Sequence, residues 1–242
     1  MTYPLGRSEN EMKNLAVILA RSGSKGLKDK NIKELLGKPL MVYTIEAALQ
    51  SEKYDTVHVS TDSEHYADIA RQYGADVPFL RDAELAGDKA SSWDALRSVV
   101  RKYAKLGKEF DTVTLLQPTS PLRDAKDIQS AFDIFERKDA TGVVSVCEVD
   151  HSPLTCNVLG EDHSLKGFLD INRAGRRQDM TTFYRINGAI YIQKRDLLMN
   201  EVNIYGEGSY AYIMDKKKSV DIDDEFDFFL AEAAMSYALH KK

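Results

Sequence analysis

The chain of 242 residues reads as an α/β protein with a mostly parallel sheet and helices on both faces. Two observations predict this. Short runs rich in β-branched residues recur at 15–20, 56–60, 112–116 and 142–146, and amphipathic stretches of helical length lie between them. The first run, Leu15 to Ala20, is apolar throughout, as expected of a strand buried on both faces.

Residues 1–13 are polar, carry Pro4 and Gly6, and are expected to be a poorly ordered leader to one domain over 14–242. After the first strand, Pro39 suits the first turn of a helix running to Ser51. Thr61-x-x-Glu64 and Ser91-x-x-Asp94 read as capping boxes, and the second opens a helix with Trp93, Leu96, Val99, Val100 and Tyr103 on one face. Asp124 and Asp127 suit the start of a helix carrying Ile128, Ala131, Phe132 and Phe135. From 151 to 185 the rhythm breaks, with Arg173, Arg176 and Arg177 clustered, as in an insertion that builds a lid or a subunit contact. Strands are expected again at 188–192 and 210–214. A final helix over about 224–239 is expected to carry Phe226, Phe229, Leu230, Ala233 and Tyr237 along one side.

Hydrophobic content of 43% with 29% charged residues is ordinary for a soluble globular protein. A formal charge of −5 argues against nonspecific nucleic-acid binding. No apolar run approaches the ~20 residues that span a bilayer, so no membrane partner is expected. The polar N-terminus lacks a signal-peptide core, which makes the cytoplasm the expected location. Cys147 and Cys156 lack metal or redox spacing and the five histidines are scattered, so neither a zinc site nor a cysteine nucleophile is expected.

The first strand runs into a small-residue turn carrying Arg21, Lys25, Lys28, Lys30 and Lys33 against one acid, Asp29. Gly23 and Gly26 let backbone approach a bound anion, and the lysines supply point charges. The loop has neither P-loop nor G-x-G-x-x-G spacing, which argues against a P-loop kinase or a nicotinamide dehydrogenase. A polyphosphate cradle and a solvated basic turn both remain open from this loop alone. Arg21, Asp62 and Gln117 all follow strands, at the carboxyl ends where ligands gather in such sheets.

Asp221 and Asp223 alternate along an extended segment and so aim one way, which suits Mg²⁺. Equally, acids ahead of a helix cap it, and Asp224 and Glu225 are expected to do only that. In Gln117-Pro-Thr-Ser-Pro-Leu-Arg123, two prolines fix a turn whose Gln117, Thr119, Ser120 and Arg123 suit a hydroxylated sugar acid, or simply make a rigid loop. Arg177 and Arg185 either clamp a carboxylate or pair with acids of a neighbouring subunit.

Taken together these blocks resemble the CMP-N-acylneuraminate synthetases, the cytidylyltransferases that activate sialic acids. The likeness runs through Ile18-Leu-Ala-Arg-Ser-Gly-Ser-Lys-Gly26, Lys30-Asn31, Val59-Ser-Thr-Asp62, Glu84-Leu-Ala-x-Asp88-x-Ala-Ser-Ser92, Leu116-Gln-Pro-Thr-Ser-Pro-Leu-Arg123, Asn187-Gly-Ala-Ile-Tyr191 and Asp221-Ile-Asp223. It implies a Rossmann-like nucleotidyltransferase (GT-A-like) fold, with 151–185 as a dimerisation insertion in a homodimer. It also implies Mg²⁺-dependent transfer of CMP from CTP to the anomeric hydroxyl of a nine-carbon sugar acid, with pyrophosphate released. Arg21 and Lys30 would hold the triphosphate. Ala20, Ser24, Lys25, Asn31, Arg81 and Ser92 complete the implied nucleotide site. Gln117, Thr119, Ser120, Arg177, Arg185, Asn187 and Tyr191 form the implied sugar side, and Asp221 and Asp223 the metal site. No general base is assigned.

Thr155 stands where several relatives carry a lysine, and Gln117 stands where the octulosonic-acid enzymes carry an aspartate. N-acetylneuraminic acid is the first acceptor expected and a legionaminic or pseudaminic acid the alternative. A non-catalytic nucleotide-binding homologue is a third reading, opposed by the presence of Arg21, Lys30, Asp221 and Asp223 together.

Overall fold

A computed structural model describes residues 12–23, 26–87, 90–169 and 181–240. In chain order its strands are β1 (Asn14–Leu19), β2 (Glu34–Leu35), β3 (Lys38–Pro39), β4 (Thr56–Ser60), β5 (Thr112–Leu116), β6 (Gly142–Glu148), β7 (Tyr184–Lys194) and β8 (Ser209–Ile213). The helices are α1 (Leu40–Gln50), α2 (Glu64–Gln72), α3 (Ser92–Lys105), α4 (Ala125–Arg137), the short α5 (Arg195–Met199) and α6 (Glu225–His240).

Leu15, Ala16, Val17 and Ile18 are all fully buried, and their alternation divides the core in two. Ala16 and Ile18 pack with Met41 and Ile45 of α1 and Phe132 and Phe135 of α4. Leu15 and Val17 pack on the opposite face with Leu96, Val99 and Tyr103 of α3. An unbroken apolar run is what a strand covered on both faces requires. The six-stranded sheet has the order β4-β1-β5-β7-β6-β8. β7 runs antiparallel to β5 and β6, and the remaining strands point the same way, so the sheet is mostly parallel as expected.

Several local expectations shift. Pro39 pairs in β3 and caps α1 rather than entering its first turn. α2 is capped by Ser63, not Thr61, because Thr61 is buried at the end of β4 and its Oγ1 accepts the Ser63 N–H at 3.2 Å. Ser91 caps α3 as expected, but Asp94 pairs with Arg97 at 2.5 Å instead of closing the box. Asp124 and Asp127 do form a reciprocal capping box on α4. β7 begins at Tyr184, and Tyr184 and Arg185 pair with Glu148 and Cys147, so the last two residues of 151–185 belong to the sheet.

The helix forms as expected, but the side of α6 that carries Phe226 and Phe229 is not the buried one. Phe226 is 67% and Phe229 63% exposed, whereas Phe228 and Ala231 are buried. This helix is apolar on most sides, so its own periodicity does not select a face. Ile222, fully buried against Leu35, Leu40 and Phe228, sets the orientation instead.

Candidate active site

Parallel strands leave a crevice beyond their carboxyl ends, and four segments meet there. The first is the loop leaving β1. Ser22 is held to Asp62, just past β4, by its N–H at 2.8 Å and its hydroxyl at 2.9 Å. Burial of Asp62 works against its charge, but the Ser22 hydrogen bonds outweigh it and leave the carboxyl below its ordinary range. Buried Asn31 donates Nδ2 to Arg21 O at 3.0 Å. Asp29 sits in the left-handed region at φ 53°, and its Oδ1 accepts the Tyr66 hydroxyl of α2 at 3.0 Å. These tethers give a lysine-rich loop a fixed path.

The second segment is the turn after β5. Arg123 is 1% exposed beneath it. Its Nη2 donates to Thr44 Oγ1 at 2.6 Å, and the Thr44 hydroxyl in turn reaches Gln117 O at 3.4 Å. Burial pushes this guanidinium down to about 10. The third is β7 at Gly188, φ 80°, where any Cβ would overlap the Gln117 side-chain oxygen. The positive φ favours glycine there, and a Cβ would also push the Gln117 side chain from its place.

The fourth segment precedes α6. Ile222 turns its side chain into the core, its N–H donates to Thr119 O at 3.0 Å, and its carbonyl accepts Lys30 Nζ at 2.5 Å. Asp221 and Asp223 flank it and so present the opposite face. Lys30 Nζ also lies 3.5 Å from Asp223 Oδ1. At Gly26 a Cβ would stand 2.6 Å from Asp223 O, so the basic loop packs backbone against backbone on the acidic segment.

These segments enclose a cavity of about 510 Å³ lined by Arg21, Lys30, Asn31, Gln117, Thr119, Asp221 and Asp223. An adjoining cavity of about 260 Å³ shares Leu19, Arg21 and Ser92 with it and adds Arg81. Arg81 is anchored by Nε on Ser60 Oγ at 3.0 Å and Nη2 on Ser60 O at 2.6 Å. Burial lowers it to about 10, with Asp62 opposing and Arg21 adding to the fall. Ser92 is the first residue of α3, whose N-terminus adds partial positive charge. Arginines, a lysine and a helix N-terminus thus converge where a polyanion would lie.

At the other end of the cavity, burial raises the Asp221 carboxyl, a Thr119 hydrogen bond opposes this, and Asp223 adds repulsion. Asp221 Oδ1 is buried without a hydrogen-bond partner. An orphaned carboxylate oxygen beside a second carboxylate is a hard-donor pair of the kind a divalent cation takes. Among the described residues no group of three or more His, Cys, Asp or Glu gathers, so a cation there would draw its other ligands from water or phosphate oxygens. A larger cavity of about 660 Å³ opens at the opposite ends of the strands. Its charges pair locally, Lys194 with Asp139 and Arg195 with Asp196, each at 2.8 Å.

Not every expected residue reaches the cavity. Ala20 is buried, with its N–H on Ser60 O. Ser120 is fully buried, and so is Arg123 beneath the turn. Asn187 is 2% exposed, with its amide engaged inside the protein. Tyr191 stacks edge-on against Trp93 at 6.0 Å, and its phenol is pushed up to about 12 by burial, then by Tyr205 and Asp221 nearby. Arg185 is exposed and donates Nη2 to Ser219 O at 3.1 Å. The Thr155 hydroxyl donates to Ser152 O at 2.8 Å. Ser24, Lys25 and Arg177, with Arg173 and Arg176, lie outside the described residues. Sequence reasoning passed over Thr44, Tyr66 and Ser219. The one available signal was Thr44, the single threonine in the mostly apolar α1.

A family model described as Cytidylyltransferase matches residues 15–236. The N-acylneuraminate cytidylyltransferase of Escherichia coli O18:K1:H7 is 43% identical over 220 residues, 90% of this chain and 51% of that protein. The protein of that name from Streptococcus agalactiae serotype V is 37% identical over 235 residues, 96% of this chain and 56% of that protein. The chain therefore spans about half the length of these two relatives. The CMP-N,N'-diacetyllegionaminic acid synthase of Legionella pneumophila is 37% identical over 228 residues, 93% of this chain and 97% of that protein. A solved CMP:2-keto-3-deoxy-manno-octonic acid synthetase complexed with CTP superposes with a TM-score of 0.70 at 19% identity, covering 93% of this chain and 99% of that one, which is a likeness of fold. With the match running from β1 into the last helix, the chain has the nucleotidyltransferase fold and belongs to the cytidylyltransferase family.

Proposed function

We propose that the protein transfers CMP from CTP to the anomeric hydroxyl of a nonulosonic acid, N-acetylneuraminic acid or a close analogue. The observation that carries this is the joined pair of cavities. The smaller, with Arg81 and Ser92, takes the cytidine; Arg21 and Lys30 stand at the junction and along the triphosphate; Gln117 and Thr119 face the acceptor. The anomeric oxygen attacks the α-phosphorus, the bond to the β-phosphate oxygen breaks, pyrophosphate leaves, and the hydroxyl proton passes to solvent. Arg21 and Lys30 neutralise charge spreading over the phosphate oxygens, and the turn fixed by Arg123 keeps the acceptor in line.

Asp221 and Asp223 are the residues that would hold Mg²⁺, and Asp221 Oδ1, buried without a partner, fits that role. When bound, the ion supplies charge neutralisation at phosphate oxygens. The sugar carboxylate is assigned to Arg177 and to Arg185, whose exposed guanidinium donates to Ser219 O in this structure. The reading includes a homodimer through 151–185, supported by Val158 at 89% and Leu165 at 69% exposed. The reading includes a cytoplasmic location, in keeping with the use of CTP. A legionaminic or pseudaminic acid is the second acceptor reading, supported by a legionaminic acid synthase and a pseudaminic acid cytidylyltransferase, 37% and 32% identical to this chain, that align over 97% and 95% of their own lengths.

The test is pyrophosphate release with Mg²⁺ and each of CTP, UTP, ATP and GTP, against N-acetylneuraminic, N,N'-diacetyllegionaminic and pseudaminic acids. Release with CTP and one acid supports the proposal and names the acceptor. Silence with every pair from folded protein refutes it in favour of a non-catalytic homologue.

A further inference from the structure

Asn187 sits one residue before the glycine that carries Gln117, yet it has no group left for a ligand. Its Oδ1 accepts from Ser145 Oγ at 2.6 Å and from Ala189 N at 3.3 Å. Its Nδ2 donates to Ser219 Oγ at 2.9 Å. Ser145 is itself locked, accepting from Ile190 N at 2.8 Å. Touching a sugar would require Asn187 to abandon one of these buried bonds and strand its partner. Its place is nonetheless informative, because Ser219 lies two residues before Asp221.

Ser219 is as buried as Asn187 and is fixed from several sides. Its hydroxyl accepts from Asn187 and donates to Asp215 O at 2.9 Å, while its carbonyl accepts Arg185 Nη2 at 3.1 Å. The preceding Lys218 bonds to Asp124 at 2.7 Å and Asp127 at 3.0 Å. Beyond Asp221, Ile222 is pinned by Thr119 and Lys30. Asp221 therefore hangs between two fixed points, one of which is the Asn187–Ser219 bond. The same stretch of β7 brings Gly188 against Gln117 and within van der Waals reach of Asp221 Oδ2, 3.7 Å from a Cβ placed there.

We propose that Asn187 is a positioning residue: through Ser219 it sets where Asp221 stands for a divalent cation, and it thereby ties the acceptor-side strand β7 to the carboxylates. This rests on reading Asp221 and Asp223 as the cation pair. Outer partners of metal ligands orient them and account for much of their affinity.

The experiment follows free Mn²⁺ by EPR during titration with the full chain, for wild type, Asp223→Ala, Asn187→Ala, Ser219→Ala and the Asn187→Ala/Ser219→Ala double variant. Far-UV circular dichroism checks that each is folded. Ser219→Ala keeps the test valid if Asn187→Ala does not fold. The proposal expects Asp223→Ala to lose Mn²⁺ binding, and Ser219→Ala and Asn187→Ala each to weaken it about tenfold, the lower end of the outer-partner range. The double variant should be no weaker than either single one. Wild-type Mn²⁺ affinity in Asp223→Ala overturns the cation reading and the proposal with it. Loss in Asp223→Ala with wild-type affinity in Ser219→Ala overturns the proposal alone. So does an Asn187→Ala variant altered only in its KM for the sugar acid, since that is direct contact.

Discussion

Replacing Gly26 by alanine probes how closely the basic loop must sit on the carboxylate segment. The new Cβ would stand 2.6 Å from the backbone oxygen of Asp223, whereas ordinary contact begins near 3.4 Å. Both sides of the clash are backbone, so the loop and the segment must part by about 0.8 Å, the difference between those distances. That displacement falls between Lys30 on one side and Asp221 and Asp223 on the other. A misplacement of about 1 Å among positioned groups costs up to about 100-fold in rate, so kcat is expected to fall between about 10- and 100-fold. Stability should fall by about 1–3 kcal/mol, because the clash is with backbone and outweighs the small gain from restricting the unfolded chain. Steady-state pyrophosphate release gives the first quantity and a thermal melt the second. Gly23→Ala separates contact with protein from contact with nucleotide: among the described residues no atom beyond its chain neighbours lies within 4 Å of its Cβ, so a loss of activity there is expected to come from the ligand. Wild-type kcat in Gly26→Ala would refute the reasoning that this loop and Asp223 are in fixed register.

Arg21→Ala should raise KM for CTP by about 10- to 100-fold, more than KM for the sugar acid, as expected for loss of a charge-assisted contact to phosphate; equal effects on both would remove Arg21 from the triphosphate. Thr44→Val leaves the buried Arg123 cation without its short partner and should cost about 1–3 kcal/mol in urea unfolding, whereas Arg123→Met, which removes the charge as well, should cost less. Burial holds the His58 imidazole down to about 4, against Asp76 and with help from Arg81 and Lys102. The unfolded chain takes up that proton first as pH falls, so this contribution is fully present above about 6.5 and is lost toward about 4, by up to about 3 kcal/mol. Urea midpoints from pH 7.5 to 4.5 measure the slope, and His58→Gln should flatten it.

Much of the frame was legible because its signals are local. Residues 56–60 and 112–116 form strands with the expected ends, since each is a short run rich in β-branched residues that follows an aspartate. The Asp124–Asp127 box formed because both partners lie within one helical turn. Direction was not legible: nothing in the composition of β7 says that it runs antiparallel between β5 and β6. The inward face of α6 escaped for a related reason, since burial there is decided by Ile222 before the helix begins. In the site, Arg21, Lys30, Gln117, Asp221 and Asp223 were readable from loop chemistry, and all line one cavity. Asn187 was not. Its amide is committed to Ser145 and Ser219, residues 42 and 32 positions away, so its role exists only once three segments have folded together.

The central claim is that the acceptor's anomeric oxygen displaces pyrophosphate from the α-phosphorus of CTP. It is tested most directly by ³¹P NMR of the products formed with Mg²⁺, CTP and a nonulosonic acid labelled with ¹⁸O at the anomeric hydroxyl. The account predicts a CMP-sugar whose phosphorus signal carries the isotope shift of a retained ¹⁸O bridge, together with unlabelled pyrophosphate. Pyrophosphate formed without a labelled CMP ester would contradict it.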